Sequence, residues 1–227
     1  MKGSYGQYCP VAKASEIIAE RWTPLIIREL VLGSHRFNDL ERGLPHISRS
    51  LLANRLRQLE RVDVVARRPD ADGHRVGYYL TPAGQELEPI ITQLGVWGQR
   101  WANRDIGPDD LDPALLVWDM RRRINRDRLP ERRVSVQFDF TGARHDSIWM
   151  LLEPSDVAVC LTDPGFDLDL LVTADTVALH RVWIGRLSFG TAMRDGLITL
   201  QGMRDLVRAF PTWLALSSFA GIPSELL

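Results

Sequence analysis

Ser48-Arg49-Ser50-Leu51-Leu52-Ala53-Asn54-Arg55-Leu56-Arg57-Gln58-Leu59-Glu60-Arg61 is the stretch on which the reading of this chain turns. At about 100° per residue, Leu52, Leu56 and Leu59 fall on one helix face, and Ser50, Asn54, Arg57 and Arg61 on the opposite one. A helix anchored by leucines that turns Arg, Asn and Ser outward suits the major groove, where Arg pairs bidentately with guanine and Asn with adenine. Taken alone, such a helix is more often an amphipathic one with a solvated Arg face. Its neighbours change the odds. Upstream, Asn38-Asp39-Leu40-Glu41 resembles a capping box with Phe37 as the staple, Leu44-Pro45 ends that short helix, and Ser48 caps the next. Downstream, Val62-Asp63-Val64-Val65 leads into a strand. Arg67-Arg68-Pro69 and Asp70-Ala71-Asp72-Gly73 read as a turn-rich tip, and Arg75 to Leu80 return as a second strand. Residues 38–80 thus spell helix, tight turn, helix and two-stranded wing.

Further out, Cys9-Pro10 opens a helix, with proline at its favoured first position. Thr23-Pro24 repeats the signal for Leu25 to Leu32, a nearly all-apolar helix closed by Gly33 and therefore expected to be centrally buried. Thr81-Pro82 starts another helix, in which Leu87, Ile90, Ile91, Leu94, Trp97 and Trp101 form a broad apolar stripe. Pro89 falls inside it and predicts a kink, since an interior proline costs roughly 3 kcal/mol. A domain this small does not bury two tryptophans on its last helix unaided, so a homodimer through that helix, or packing on a second domain, is expected.

The 227 residues, 45% hydrophobic and 25% charged, fit one large or two modest domains of ordinary globular composition. No apolar run approaches the roughly 20 residues that cross a bilayer, and the N-terminus lacks a signal peptide's apolar region. The expectation is a cytoplasmic protein without a membrane partner. The net charge of −1 hides an asymmetry. Residues 1–104 carry 15 Lys and Arg against 11 Asp and Glu, +4, whereas residues 105–227 stand at −5. An anionic partner is expected for the first part only. Cys9 and Cys160 are too few for a disulfide scaffold.

The order Cys-Pro, Arg-Trp-Thr-Pro-Leu-Ile-Ile-Arg-Glu-Leu (21–30), Arg36-Phe37-Asn38-Asp39-Leu40, Leu44-Pro45-His46-Ile47-Ser48, Leu56-Arg57-Gln58-Leu59-Glu60 and Tyr79-Leu80-Thr81-Pro82-Ala83-Gly84 resembles the HxlR family of bacterial winged helix-turn-helix regulators over residues 5–104. The resemblance implies a dimer that binds double-stranded DNA through the helix after Ile47-Ser48, with the hairpin reaching the flanking backbone. One departure follows Arg61. The family usually has an acidic residue or small turn residues including Gly there, and Val62-Asp63-Val64 bears on the angle at which the wing leaves the helix. On this footing Ser50, Asn54 and Arg57 are the candidates for base edges, and Arg36, Ser48 and Arg49 for phosphates, aided by the helix N-terminus. His74 and Arg75 in the wing are expected to reach the backbone or minor groove.

Residues 105–112 are an acidic break with Gly and Pro, hence a linker between residues 1–104 and 113–227. Pro113 to Arg126 reads as a helix whose Arg121-Arg122-Arg123 run is more simply a solvated or salt-bridged end than a DNA contact. Val134 to Phe140, Ile148 to Leu152, Asp156 to Leu161 and Asp167 to Thr173 alternate or run apolar between turns, which predicts an antiparallel meander. Helices near 175–185 and 188–195, a strand at Leu197 to Leu200 and a helix from Met203 to Phe219 complete an α+β architecture. The stretches 167–173, Trp183-Ile184-Gly185 and 192–202 are similar to the sterol-carrier-protein-like fold, an antiparallel sheet covered by helices around an apolar pocket. That resemblance implies a small hydrophobic effector, with Trp149, Phe166, Trp183, Phe189 and Trp213 as candidate lining. The simpler reading is that these aromatics fill the core.

No metal-ligand spacing links the histidines at 35, 46, 74, 145 and 180, and neither a nucleophile elbow nor a phosphate-cradling glycine loop occurs. No cofactor, metal or catalytic residue is expected, and the chain does not read as an enzyme. Cys9 stands apart: at a helix N-cap its thiolate feels the positive end of the dipole, with Lys13 and Arg21 nearby, and some HxlR-like regulators sense oxidants through a cysteine at this position. A small apolar residue near a dimer interface is the plainer alternative. A hydrophobic-ligand-binding protein whose winged helix serves only for assembly is the competing function.

Overall fold

The computed structural model describes residues 4–70, 73, 75–102, 107–142, 146–223 and 225. They divide into two compact units, Met1–Gly95 and Val96–Leu227. The first contains α1 (Pro10–Ile18), α2 (Thr23–Val31), α3 (Phe37–Arg42), α4 (Arg49–Arg61), β1 (Val65–Pro69), β2 (Val76–Leu80) and α5 (Pro82–Gln85), while α6 (Glu88–Trp101) spans the division. Ile26, Ile27, Leu30, Leu40, Leu44, Ile47, Leu52, Leu56, Leu59, Val64 and Val65 form its core. Helix α2 is less enclosed than its composition predicts, because Leu25 and Leu32 stand 39% and 42% exposed. The face it does bury includes a carboxylate. Glu29 is fully buried, accepting from Arg28 Nη2 at 2.8 Å and Ser34 Oγ at 3.2 Å, while Arg28 Nη2 also donates to the Gly43 carbonyl at 3.2 Å. This knot joins the end of α2 to the turn after α3. A Cβ on Gly43 would overlap the Glu29 carboxylate, so any side chain there displaces that buried group from its partners.

Two local expectations shift at α3 and α5. The capping box at Asn38 is not formed. The helix begins one residue earlier, at Phe37, with Arg36 as N-cap and no side-chain cap bond, because the Arg36 carbonyl already accepts from Asp39 and Leu40. The helix expected from Pro82 is interrupted just ahead of Pro89. Residues 86 and 87 form a turn, and α6 restarts at Glu88, so the proline sits in the first turn, where its missing N–H has no partner to lose. The segment after Arg61 also resolves. Asp63 takes a left-handed conformation (φ 57°), while Val64 N bonds to Leu59 O at 3.0 Å and Asp63 N to Glu60 O at 3.2 Å. This is a Schellman ending with Asp where Gly is usual, and Asp tolerates that region better than most residues.

The second unit holds α7 (Pro113–Arg121), β3 (Val134–Thr141), β4 (Ser147–Leu152), β5 (Val157–Cys160), β6 (Leu170–Asp175), α8 (Thr176–Trp183), α9 (Phe189–Arg194), β7 (Ile198–Gly202) and α10 (Arg204–Trp213). The sheet is mixed rather than an antiparallel meander, with strand order β5-β4-β3-β6-β7. Strands β3 to β5 are antiparallel as expected, but β6 crosses to the far side of β3 and runs parallel to it, Phe138 opposite Val172. Turn residues fix where strands end, not which edge the next strand takes. The segment at 161–169 is long enough to carry the chain across. Central β3 pairs on both sides and so contributes four apolar core residues, Val134, Val136, Phe138 and Phe140, to the layer made with α7, α8, α9 and α10. The alternate residues Gln137, Trp149, Leu151 and Leu171 point to the other face and are half-buried. The last helix stops at Trp213, six residues short of the expected Phe219.

Two titratable groups couple this unit to pH. Burial, with Arg186 and Arg181 close by, holds the His180 imidazole below its ordinary value. Burial pushes the Asp169 carboxyl up, yet the hydrogen bonds from Arg132 and Ser135 N, with the Arg132 charge, outweigh it and leave the group below the usual carboxylate range. A histidine lowered on folding destabilises the fold as pH falls through about 6.5, because the unfolded chain takes the proton first. A lowered carboxylate contributes stability above its unfolded value and loses it on further acidification. Denaturant titration is therefore expected to show stability falling between pH 7.5 and 5.5, with a flatter profile in His180→Gln, and falling again below pH 4. In the first unit, Gly43→Ala should cost at least about 2 kcal/mol by overpacking, read as a lowered denaturation midpoint.

Candidate nucleic-acid interface

Helix α4 is held by its leucines and started by a side chain. Ser48 Oγ accepts from Leu51 N at 3.3 Å and lies 3.2 Å from Ser50 Oγ. Leu52 and Leu56 are fully buried and Leu59 nearly so, which turns Ser50, Asn54 and Arg57 to solvent on the opposite face. Among the described residues, the Asn54 and Arg57 side chains have no partner, so nothing within the protein must be broken for them to meet a base edge.

The three cation and cap positions expected at phosphates differ from one another. Ser48 is exposed beside the helix N-terminus. Arg49 is exposed but engaged: it pairs with Glu41, donates to Asn38 Oδ1 at 3.3 Å and lies over the Phe37 ring at 4.9 Å. It bolts α4 to α3. Arg36 pairs with Asp70 at 3.6 Å and is half-exposed. In the wing, Arg75 N donates to Asp70 Oδ1 at 3.3 Å and Asp70 N to Arg75 O at 2.7 Å, which closes the tip and leaves the Arg75 side chain in solvent. His74 lies outside the described residues.

The sequence reading missed Arg67 and Arg68. It assigned them to the tip, whereas β1 continues to Pro69 and pairs Arg67 with Tyr78 and Arg68 with Gly77. Both are exposed, and Arg67 lies 5.5 Å from the Tyr78 ring centroid. The usable signal was the alternation through Val65 and Ala66, masked by the proline. His35 is a second omission. Its ring stacks on Tyr79 at 4.3 Å, its carbonyl accepts from Tyr78 N at 2.8 Å, and its Nδ1 sits 3.0 Å from the Tyr78 carbonyl. The wing is thereby fixed to the turn between α2 and α3.

Cys9 is the N-cap of α1, as expected, and the structure shows it half-buried. The cations expected near its thiol are otherwise occupied: Lys13 pairs with Glu16 at 3.4 Å, and Arg21 lies over the Trp22 ring at 5.5 Å. The five aromatics of the second unit do not share one cavity wall. Trp213 is buried at the centre of the core, in edge contact with Phe210, which Phe189 also touches. Trp183 packs on that core from its margin. Trp149 belongs to the opposite sheet face, and Phe166 is 45% exposed under the Arg133 guanidinium at 4.3 Å. No cluster of metal-binding side chains and no membrane-crossing helix occurs among the described residues.

Residues 17–106 match the HxlR-like helix-turn-helix family. The uncharacterized HTH-type transcriptional regulator YvaP of Bacillus subtilis is 38% identical over 113 residues, 48% of this chain and 95% of YvaP. A second uncharacterized HTH-type regulator, Mb3122 of Mycobacterium bovis, is 42% identical over 99 residues, 43% of this chain, which spans 62% of that relative. Among solved structures, the redox regulator HypR in its oxidized form is 34% identical, with a TM-score of 0.38, over 43% of this chain and 100% of HypR. A capped, leucine-anchored second helix beside a two-stranded wing, together with near-complete coverage of YvaP at that identity, places the chain in the HxlR family of helix-turn-helix transcriptional regulators.

Proposed function

We propose that this protein is a homodimeric, sequence-reading DNA-binding regulator of transcription in the cytoplasm, with residues 1–104 as the DNA-binding domain, 105–112 as linker and 113–227 as an effector module. The observation that carries the reading is the free face of α4. Ser50, Asn54 and Arg57 are exposed on a helix whose other side is locked in the core, and the flanking wing adds Arg67, Arg68 and Arg75. Base edges are read by the first three and phosphates are met by Ser48, Arg36, the helix N-terminus and the wing arginines. Arg49 contributes less to phosphate binding than its exposure suggests, because Glu41 already neutralises it. Dimerisation is supported by one face of α6, where Ile90, Leu94, Trp97 and Trp101 are each about half-exposed. Two-fold symmetry then implies an operator of two half-sites about one helical turn apart, or a multiple.

The second unit's role as a sterol-carrier-like receptor for a small hydrophobic molecule is the finer part of the proposal. It is supported by its helix-covered sheet and not by any shared wall of the five aromatics. Oxidant sensing at Cys9 is a further element, favoured by its half-buried position at the start of α1, a helix with no buried residue that a modified thiol is able to displace.

Fluorescence anisotropy with the gene's own upstream duplex against a scrambled one tests the reading. Selective binding with a steep salt dependence is expected, and equal weak binding to both duplexes would favour the ligand-carrier alternative. Arg57→Ala should cost roughly 1–3 kcal/mol and relax specificity, whereas Arg67→Ala should weaken all sequences alike and reduce the salt slope by about 1. Diamide is expected to alter operator affinity in the parent protein and not in Cys9→Ser; an identical dose response in the two proteins rejects sensing at Cys9.

A further inference from the structure

The arginines proposed to flank the reading helix are held in different ways. Arg49 is hydrogen-bonded by Glu41 and Asn38 and lies over the Phe37 ring, so its pairing is part of the packing of α3 on α4. Arg36, the N-cap of α3, meets only Asp70, the residue after β1, and has no other partner among the described residues. Its Nη2 stands 3.6 Å from Asp70 Oδ2, an electrostatic contact too long for a hydrogen bond. The two partners are unequally fixed. The Asp70 side chain is 18% exposed, and its Oδ1 accepts from Arg75 N at 3.3 Å. Its backbone N–H donates to Arg75 O at 2.7 Å, and its carbonyl accepts from Gly73 N at 2.9 Å. The carboxylate is thus anchored in the wing tip, while the half-exposed guanidinium is free to swing. A cleft of about 210 Å³ beside the pair has Arg36 and Arg75 in its walls together with Asp39 and Asp70, so a free anion finds no net attraction there.

We infer that Asp70 is an internal counter-ion for Arg36, which holds that guanidinium back from the DNA backbone in the free protein and lowers the affinity for every duplex, operator or not. The inference rests on the DNA-binding reading proposed above and adds to it a residue that sets the strength of its sequence-independent part. To meet a phosphate, Arg36 must leave Asp70. The phosphate offers in return the charge-assisted hydrogen bonds that the 3.6 Å pair lacks, so the exchange is favourable. It is also discounted, because the anchored carboxylate stays behind, deprived of its cation and close to the incoming negative charge. A cation that neutralises one phosphate contributes about 0.9 to the salt slope, and Arg36 contributes less than that full amount. Asn54 and Arg57 carry no such discount, since neither has a partner to leave among the described residues. Base reading keeps its full strength, while the backbone attraction common to all sequences is trimmed.

Fluorescence anisotropy of the full chain with the upstream duplex and its scrambled counterpart, over roughly 50–300 mM salt, reads the effect. Asp70→Asn removes the charge and keeps the Oδ1 that closes the tip. It is expected to tighten binding to both duplexes at least about threefold and to steepen the salt dependence by up to about 1 per protomer. With Arg36→Gln already in place, the same substitution is expected to gain less than about twofold, because only the relief of a negative charge near the backbone then remains. Unchanged or weaker binding to both duplexes, a gain confined to the operator, or a gain of the same size in the Arg36→Gln background overturns the inference. Should circular dichroism show Asp70→Asn unfolded, Asp70→Ser, which also offers a turn an acceptor, decides by the same readings. A parent protein that binds neither duplex at the lowest salt rejects the DNA-binding reading and this inference with it, whereas parent binding without a gain in the variant rejects only the counter-ion.

Discussion

The winged-helix unit depends on a carboxylate placed where carboxylates rarely go. Glu29 is held in the interior by Arg28 and Ser34, and the backbone after α3 approaches it so closely that residue 43 has no room for a side chain. A buried charge is costly unless fully paired, and removing one partner is far worse than never having had the pair. The arrangement is therefore weak as a source of net stability and strong as a specification of geometry. It fixes the end of α2 against the turn between the two helices of the DNA-reading motif, and every residue on α4 is aimed from that reference. The Arg49–Glu41 pair and the Ser48 cap then set the pitch of α4 itself.

Helix α4 divides its residues among three tasks. Leucines at 52, 56 and 59 bind it to the core, Asn54 and Arg57 stand exposed without a partner among the described residues, and Arg55 holds Glu20 and Gln58 on the side of α1. Because the three faces belong to one rigid rod of 13 residues, a displacement imposed on one is delivered to the others with little attenuation. The wing follows the same logic from the other side, being held at Tyr78 and Tyr79 by His35 and at its base by Thr81, whose hydroxyl donates to the Asp63 and Val64 carbonyls.

Much of this was legible in the residues because the signals are local. Leucine periodicity, the Ser48 cap and the Cys9-Pro10 and Thr81-Pro82 starts each act within a turn of helix, and each appears where it was expected, whereas α2 starts one residue early, at Thr23 with Trp22 as its N-cap. The failures share a cause. Phe37 starts α3 because a backbone carbonyl did the work reserved for the Asn38 side chain, Pro89 found a helix start instead of a helix interior, and β6 chose its neighbour by packing on β3, information spread over some 30 residues. The candidate base-reading residues lay on the legible side, since helical periodicity alone separates them from the core. His35, Arg67 and Arg68 did not, because their roles arise from pairing between strands. Glu29 was quoted within a motif without any sign that its charge would be interior; nothing in a linear string announces that a glycine 14 residues away will close over it.

The outer strand of the wing leaves a row of backbone donors and acceptors without a neighbouring strand. Such ribbons invite another copy to dock edge to edge. Here the exposed row carries Arg67 and Arg68 and ends in Pro69, which has no N–H to offer. Two like charges and a missing donor are what keeps a free strand from being extended by its twin. The side chains proposed to meet phosphate on DNA thus also guard the free edge against self-association. A regulator that waits unbound for its operator has reason to keep them for solubility as much as for affinity.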